Sequence, residues 1–225
     1  MFHDLRSGNY GLGGVLASSP VLTLGGPGRI LRYSVWTVAM EFDALSLLVL
    51  DVDGVLTDGA VVMSDTGGLI KAFHVRDGYA VQLWQRVGHQ AALLSGRESP
   101  AVERRAAELG IEVVHQGCRD KLAAYERLLA AVGRSDAAVC YVGDDVPDLP
   151  PMRRCAFPVA VANAAPCVKQ VAQYVTRLPG GAGAVAEVIE LVLRKQQRWG
   201  GEERTASSGP RARTLHPRLW LKADR

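Results

Sequence analysis

The stretch that decides the fold is Leu47-Leu48-Val49-Leu50-Asp51-Val52-Asp53-Gly54. A short apolar run followed by Asp and Gly is typical of a buried strand that leaves a sheet at a turn. Because alternate residues of an extended chain face the same side, Asp51 and Asp53 can point to one side of that turn. Two such carboxylates normally need a cation, although Asp-x-Asp alone is equally compatible with a solvated turn.

Three further apolar runs also lead into polar or charged residues. They are the segments before Ser95-Gly96-Arg97, before the helix that Lys121 opens, and before Gly143-Asp144-Asp145. In an open parallel sheet, ligands bind in the crevice at the carboxyl ends of the strands. The sequence therefore predicts that four separate segments meet in one polar crevice.

Strand and helix signals alternate through the middle of the chain. Strands are predicted near 46–51, 90–95, 111–115, 138–142 and 157–161, and helices near 78–87, 100–109, 121–132 and 184–197. This alternation is typical of a doubly wound α/β sheet. Ser99-Pro100 predicts a helix start, and Gly88, Gly110 and Gly133 stand where helices should end.

The ordered set Asp51-x-Asp53, Ser95, Lys121 and Gly143-Asp144-Asp145-x-x-Asp148 resembles the haloacid dehalogenase superfamily. Within it, 51–59, 71–79 and 141–145 are similar to the small phosphatases that act on 3-deoxy-D-manno-octulosonate 8-phosphate. The resemblance covers about residues 44–193. It implies a Rossmann-type, doubly wound parallel sheet in a three-layer α/β/α fold.

Residues 60–74 interrupt the alternation and predict a β-hairpin insertion. No segment is long enough for the large cap domain that covers the site in many superfamily members. The resemblance implies instead a capless homotetramer in which the hairpins of four subunits assemble and a neighbouring subunit helps to close the site. The alternative is an ordinary surface hairpin, although an isolated two-stranded ribbon is marginal in water.

The resemblance also implies a Mg²⁺ site. The expected ligands are the carboxylates of Asp51 and Asp144 and the backbone carbonyl of Asp53, since Mg²⁺ prefers hard oxygen ligands. Asp145 and Asp148 are expected to hold metal-bound water or to orient the ligands. Adjacent acidic residues are also common in solvated loops, but their position after a buried strand and before Pro147 favours the metal site.

Catalytic roles follow from the same resemblance. Asp51 is the expected nucleophile, which forms an aspartyl-phosphate, and Asp53 is the expected general acid and base. Ser95, the Gly96 N–H and Lys121 are expected to bind the phosphoryl oxygens. The alternatives are a plain strand-to-helix turn for Ser95-Gly96 and a solvated side chain for Lys121.

Lys71, Arg76 and Arg97 are the candidates for binding the rest of the substrate. A sugar acid presents a carboxylate as well as a phosphate, and Arg binds either group with two parallel hydrogen bonds. Each of these residues taken alone is more typical of a surface charge. His74 receives no role.

Three functions compete. The favoured one is a Mg²⁺-dependent phosphatase for 3-deoxy-D-manno-octulosonate 8-phosphate in lipopolysaccharide precursor synthesis. A phosphatase for a nine-carbon sugar acid 9-phosphate of the sialic-acid type is the nearest alternative. The third is a non-catalytic tetramerisation domain, which the full set of catalytic residues argues against.

Charge and composition exclude other classes. The 225 residues are 48% hydrophobic, enough for a sizeable core. Of the net charge of +3, residues 1–40 carry +2 and residues 194–225 carry +6, which leaves −5 for the body. The basic character belongs to the ends, so a nucleic-acid partner is not expected.

The ends of the chain differ from the body. Residues 1–40 show no helix or strand period and are expected to be a disordered extension, with Met40 as a candidate start. The phosphatase domain is expected over 41–198, and a basic, disordered tail over 199–225. The four cysteines lack any Cys-x-x-Cys pair and no run is long enough to span a membrane, so a cytoplasmic protein without a membrane partner is expected.

Overall fold

A seven-stranded parallel sheet forms the centre of the protein. The computed structural model describes residues 40–65 and 68–199 and the backbone of 220–222. The strands of the sheet are β1 (Leu47–Leu50), β4 (Gln90–Leu94), β5 (Val113–Gln116), β6 (Val139–Gly143), β7 (Phe157–Ala160), β8 (Tyr174–Val175) and β9 (Trp220–Lys222), while β2 (Val62–Met63) and β3 (Leu69–Ile70) form a separate hairpin. The order across the sheet is β8-β7-β6-β1-β4-β5-β9.

The strand that the opening stretch predicts lies at the middle of this sheet. β1 pairs in parallel with β4 on one side and with β6 on the other. All four of its residues are buried, because both faces of a parallel sheet are covered. The predicted doubly wound parallel sheet is confirmed, and it places the end of β1 between the ends of β4 and β6.

Helices flank the sheet. They are α1 (Val75–Arg86), α2 (Pro100–Leu109), α3 (Lys121–Val132), α4 (Leu149–Met152), α5 (Pro166–Val171) and α6 (Ala184–Lys195). The predicted start at Ser99 is confirmed, since its side chain accepts from the Ala101 N–H at 3.3 Å. α2 and α3 end at Gly110 and Gly133 with φ of 72° and 64°, the left-handed conformation that glycine adopts readily.

The hairpin insertion is antiparallel and short. Val62 pairs with Ile70, and Met63 pairs with Leu69. All four side chains are exposed, from 43% for Leu69 to 73% for Met63. The structure therefore leaves an apolar ribbon uncovered on the single chain.

The ends of the chain lie mostly outside the described residues. This applies to 1–39, 200–219 and 223–225, so the disorder expected there and the start at Met40 stay predictions. Within the expected tail, however, β9 pairs in parallel with β5, with Val114 opposite Trp220. No local signal predicted this strand, because the pairing depends on a distant edge of the sheet.

The remaining sequence expectations concern membranes and thiols. Among the described residues, no helix combines the length and apolar character needed to cross a membrane. All four cysteines are free thiols: Cys118, Cys140 and Cys155 are buried, and Cys167 is exposed.

Candidate active site

The turn after β1 holds the first two carboxylates. The N–H of Asp51 donates to the carbonyl of Val142 at 3.1 Å, so Asp51 continues the pairing with β6. The chain then folds back, and the carbonyl of Val52 accepts from the N–H of Thr57 at 3.0 Å. Asp51 is buried at the end of the strand, whereas Asp53 is partly exposed on the turn. We call residues 51–58 the nucleophile turn, after the role predicted for Asp51.

Lys121, the first residue of α3, lies between two buried carboxylates. Its Nζ is 2.8 Å from Oδ1 of Asp51 and 2.6 Å from Oδ1 of Asp148. The other oxygen of Asp148 accepts from the backbone N–H groups of Asp144 and Asp145 at 3.1 and 3.2 Å. Asp148 therefore holds both Lys121 and the loop after β6 in place.

Asp144 brings a third carboxylate to the same place. One oxygen from each of Asp51, Asp144 and Asp148 lies within 4.8 Å of the other two. Oδ1 of Asp144 is buried and has no hydrogen-bond partner among the described residues. Its Oδ2 lies against the backbone at Gly54, where an added Cβ would be only 2.0 Å away. Glycine at position 54 thus leaves the space that Asp144 fills.

The acids of this cluster are difficult to ionise without a further cation. Burial, together with the negative charge of Asp148, raises the pKa of Asp51 to about 8 and that of Asp144 to about 6. Burial lowers the pKa of Lys121, but the charges of Asp51 and Asp148 more than offset this, so its pKa is raised. This cluster of three carboxylates therefore has one ammonium group, which contacts Asp51 and Asp148.

These residues fit a divalent cation that prefers hard oxygen ligands. The buried, unpartnered oxygen of Asp144 is free to bind one, and an oxygen of Asp51 lies close to it. Both oxygens of Asp148 already accept from protein donors. The structure thus brings together Asp51 and Asp144 of the predicted ligands, and the carbonyl of Asp53 as the third ligand stays a prediction.

Asp53 and Lys71 form an ion pair at the base of the hairpin. The side chain of Lys71 is 8% exposed and that of Asp53 is 28% exposed. Lys71 directly follows β3, so the ion pair joins the hairpin insertion to the nucleophile turn. Lys71, predicted from its motif as a substrate contact, is placed beside the predicted general acid.

Ser95 lies at the carboxyl end of β4 with its backbone fixed on both sides. Its N–H donates to the carbonyl of His115 at 2.8 Å, and its carbonyl accepts from the N–H of Cys118 at 3.0 Å. Its buried hydroxyl accepts from the N–H of Arg97 at 3.3 Å, and Gly96 between them is exposed. This turn presents a hydroxyl and a backbone N–H at the end of the strand next to β1.

Arg76 and Arg97 are both exposed. Neither forms a salt bridge with any residue that the structure describes. Arg76 is in the first turn of α1 and Arg97 follows Ser95, so they belong to different elements near the site. Their predicted contact with substrate therefore stays a prediction.

Three groups that support the site were missed by sequence reasoning. The hydroxyl of Tyr141 donates to Oδ1 of Asp148 at 2.7 Å, although Tyr141 looks like one more apolar residue of β6. The hydroxyl of Thr57 accepts from the N–H of Gly54 at 3.3 Å inside the nucleophile turn. The backbone at Gly180 packs against this turn, and the run Gly180-Gly181-Ala182-Gly183 is the signal that could have found it.

Comparisons with known proteins agree with this geometry. A 3-deoxy-D-manno-octulosonate 8-phosphate phosphatase of Escherichia coli K12 is 43% identical over 159 residues, which are 71% of this chain and 85% of that protein. The crystal structure of such a phosphatase from Yersinia pestis matches with a TM-score of 0.70 at 42% identity, over 71% of this chain and 86% of that chain.

A further solved structure is that of the Moraxella catarrhalis phosphatase in complex with a magnesium ion, a phosphate ion and a KDO molecule. It matches with a TM-score of 0.71 at 38% identity and covers 73% of this chain and 94% of that chain. The family model for haloacid dehalogenase-like hydrolases matches residues 105–189.

A parallel sheet whose central strand ends in Asp51 and whose neighbouring elements supply Ser95, Lys121 and Asp144 defines a haloacid dehalogenase-like hydrolase. The similarity extends over most of the length of the relatives. The chain belongs to the 3-deoxy-D-manno-octulosonate 8-phosphate phosphatase family.

Proposed function

We propose that the protein is a Mg²⁺-dependent phosphatase that hydrolyses 3-deoxy-D-manno-octulosonate 8-phosphate to KDO and phosphate, a step of lipopolysaccharide precursor synthesis. The observation that carries the proposal is the position of Asp51, buried beside Lys121 and within 4.8 Å of the carboxylates of Asp144 and Asp148. The family relationship supports the substrate, since the relatives that this chain matches carry that name.

Asp51 attacks phosphorus in the first step. An anionic nucleophile is repelled by an anionic phosphate ester, and a Mg²⁺ ion held by Asp51 and Asp144 would supply the positive charge that offsets this repulsion. Attack by a carboxylate oxygen of Asp51 forms an aspartyl-phosphate and breaks the bond between phosphorus and the sugar oxygen, which leaves. Water then attacks the same phosphorus and frees Asp51.

Asp53 transfers the protons in both steps. It protonates the sugar oxygen as that group leaves, and it takes a proton from the water that attacks the intermediate. Its ion pair with Lys71 fixes its side chain beside the nucleophile turn. Lys71 is therefore positioned to hold Asp53 in place and to contact the substrate as the pair opens.

Lys121 and the turn after β4 bind the phosphoryl oxygens. The ammonium of Lys121, 2.8 Å from Asp51, offsets charge on the transferring group. The hydroxyl of Ser95 and the N–H of Gly96 donate hydrogen bonds to the same oxygens. The exposed guanidinium groups of Arg76 and Arg97 are left to bind the substrate carboxylate.

A homotetramer in the cytoplasm completes the proposal. The hairpin leaves Val62, Met63, Leu69 and Ile70 exposed on the single chain, as expected for a surface that another subunit covers. The family resemblance supports four subunits, with the hairpin of a neighbour helping to close the site.

The proposal is tested by phosphate release from a panel of sugar acid phosphates, with Mg²⁺ or with EDTA. Asp51→Asn is compared with Asp58→Asn, which changes an exposed carboxylate of the same turn that accepts from the Ala60 N–H. We expect metal-dependent release from the eight-carbon acid that Asp51→Asn abolishes and Asp58→Asn retains.

Two other outcomes would change the assignment. Preference for a nine-carbon acid 9-phosphate would keep the chemistry and replace the substrate. Absence of release from every substrate, in a protein that folds and binds Mg²⁺, would favour the non-catalytic tetramerisation domain.

A further inference from the structure

Asp77 joins two helices that are far apart in the sequence. It lies in the first turn of α1 and is only 1% exposed. Its Oδ1 accepts from the N–H of Ala186, 109 residues further along the chain, at 2.8 Å. Burial raises the pKa of Asp77, and the N–H groups of Ala186 and Gly183 oppose this rise. Burial of a carboxylate costs free energy, so we expect a favourable interaction of Asp77 that offsets this cost.

The partner of Asp77 is the start of α6, which has no cap of its own. Its N-cap residue is Gly183, which has no side chain to accept from the first N–H groups of the helix. Helix N-termini leave such groups without partners, and an acidic side chain near them is favourable. Asp77 therefore acts as the cap of α6 from another helix, and fixes where α6 begins.

The loop directly before α6 lies against the nucleophile turn. The N–H of Gly181 donates to the carbonyl of Val55 at 3.0 Å. At Gly180 the two backbones are so close that an added Cβ would be 1.7 Å from the carbonyl oxygen of Gly54. The position of residues 180–181 therefore limits where 54 and 55 can lie.

The nucleophile turn also carries the proposed reacting groups. Gly54 lies between the partly exposed Asp53 and the carboxylate of Asp144, and Asp51 begins the turn. The contacts thus run from Asp77 to the start of α6, to residues 180–181, and then to the turn. A misplacement of about 1 Å at such a turn can lower a rate by about a hundredfold.

We infer that Asp77 is a positioning residue for the nucleophile turn, which acts through its hydrogen bond to Ala186 and the loop before α6. The inference rests on the proposed phosphatase activity for its kinetic test. It gives a role to a residue that touches neither the substrate nor the metal ligands.

The other end of the same helix supplies a matched control. Gln196, the C-cap residue of α6, is 8% exposed and donates to the carbonyls of Phe42 and Leu45 at 2.6 and 2.7 Å. Gln196→Ala therefore removes the buried hydrogen bonds that attach α6 to the segment before β1. These bonds do not involve the nucleophile turn. Asp77→Ala and Gln196→Ala should both lower the melting temperature, but only Asp77→Ala should change catalysis.

The kinetic test compares wild type, Asp77→Ala, Asp77→Asn and Gln196→Ala, well below their melting temperatures and with excess Mg²⁺. We expect Asp77→Ala to lower kcat at least about tenfold, because the nucleophile turn is displaced. KM should stay within about twofold of wild type, because the substrate contacts are not displaced. Asp77→Asn retains an oxygen that accepts from Ala186 and should stay within about threefold of wild type. Gln196→Ala should leave kcat unchanged.

Amide hydrogen exchange tests the same inference without any substrate. Asp77→Ala should speed exchange in peptides that cover 52–58 and 180–186, whereas Gln196→Ala should leave 52–58 unchanged. If Asp77→Ala is insoluble, Asp77→Ser provides the comparison, because its hydroxyl is too short to reach Ala186.

The outcomes separate the inference from the proposed function. Exchange in 52–58 that is the same in Asp77→Ala and wild type would overturn the inference, as would equal losses of kcat in Asp77→Ala and Gln196→Ala. A wild type without phosphatase activity would refute the proposed function alone, and the exchange comparison would still decide the role of Asp77.

Discussion

The hydroxyl of Tyr141 and the carboxylate of Asp148 form a buried hydrogen bond of 2.7 Å directly beneath the candidate site. Oδ1 of Asp148 accepts from Tyr141 and from Lys121, while Lys121 also contacts Asp51. Tyr141 therefore fixes the Asp148 oxygen that pairs with Lys121, although its own hydroxyl donates to Asp148 and not to Asp51.

Tyr141→Phe should lower kcat by about three- to tenfold, since one buried hydrogen bond to a charged network is lost while the ring remains. Steady-state kinetics with saturating Mg²⁺ measure the effect. Tyr125→Phe is the control, because its hydroxyl donates to Asp136, next to the start of β6, at 2.9 Å. A similar kcat for the two variants would mean that Tyr141 has no role in placing Lys121.

The raised pKa values of Asp51 and Asp144 predict how stability depends on pH when the metal is removed. The folded protein keeps protons on Asp51 up to about pH 8 and on Asp144 up to about pH 6, whereas the unfolded chain releases them near the ordinary carboxyl pKa of 3.8. The folded state thus binds more protons between these limits, so the free energy of unfolding falls as pH rises.

In EDTA, the melting temperature should therefore fall by about 4 °C or more between pH 6 and pH 7.5. Mg²⁺ should raise the melting temperature more at pH 7.5 than at pH 6, because it binds the deprotonated ligands. Asp51→Asn should reduce the slope in EDTA. An EDTA profile that is flat or rises over this range would contradict the assigned direction of the shifts.

Gly180→Ala should strongly impair activity. A Cβ at this position would lie 1.7 Å from the Gly54 carbonyl oxygen, so either the loop before α6 or the nucleophile turn must move. We expect at least a tenfold lower kcat, of about the size that misplaced reacting groups produce. Gly88→Ala is the control: with φ of 93° and no neighbour within 4 Å, it should cost stability and leave kcat intact.

The exposed hairpin predicts the effect of charge on assembly. Val62 and Ile70 pair across the hairpin and are 49% and 56% exposed. The double variant Val62→Glu, Ile70→Glu should convert the proposed tetramer into monomers, because burial of two unpaired charges is costly. Light scattering at micromolar concentration gives the mass, and Val175→Glu, on β8, should not change it. A monomeric wild type would refute the tetramer itself.

Much of the fold and site could be predicted because the relevant signals are local. The apolar run before Asp51 marks a strand by its composition, and the polar residues that end β4 and β6 follow their strands directly. Parallel strands place their carboxyl ends at one edge, so Ser95 and Asp144 could be assigned to the same crevice as Asp51 without any knowledge of distances. Lys121 could be placed because it opens a helix.

The remaining parts depend on contacts between distant segments. The hydrogen bond of Asp77 to Ala186 spans 109 residues, and nothing around Asp77 distinguishes it from an exposed acid at a helix start. In the sequence, Tyr141 resembles the apolar residues of its strand, because sequence alone does not identify the hydrogen-bond partner of its hydroxyl. β9 was missed because its strand character comes from the free edge of β5 and not from its own short segment.

The central position of β1 also bears on how the enzyme is made. The nucleophile strand leaves the ribosome before either of its neighbours, and β6, which pairs along its whole length, follows long after it. Asp144, the proposed metal ligand, comes with β6, and the glycines that back the nucleophile turn come later still. A nascent chain therefore completes this site only after residues 180 and 181 have been added, so a product that ends earlier would carry Asp51 without the segments that hold it in place.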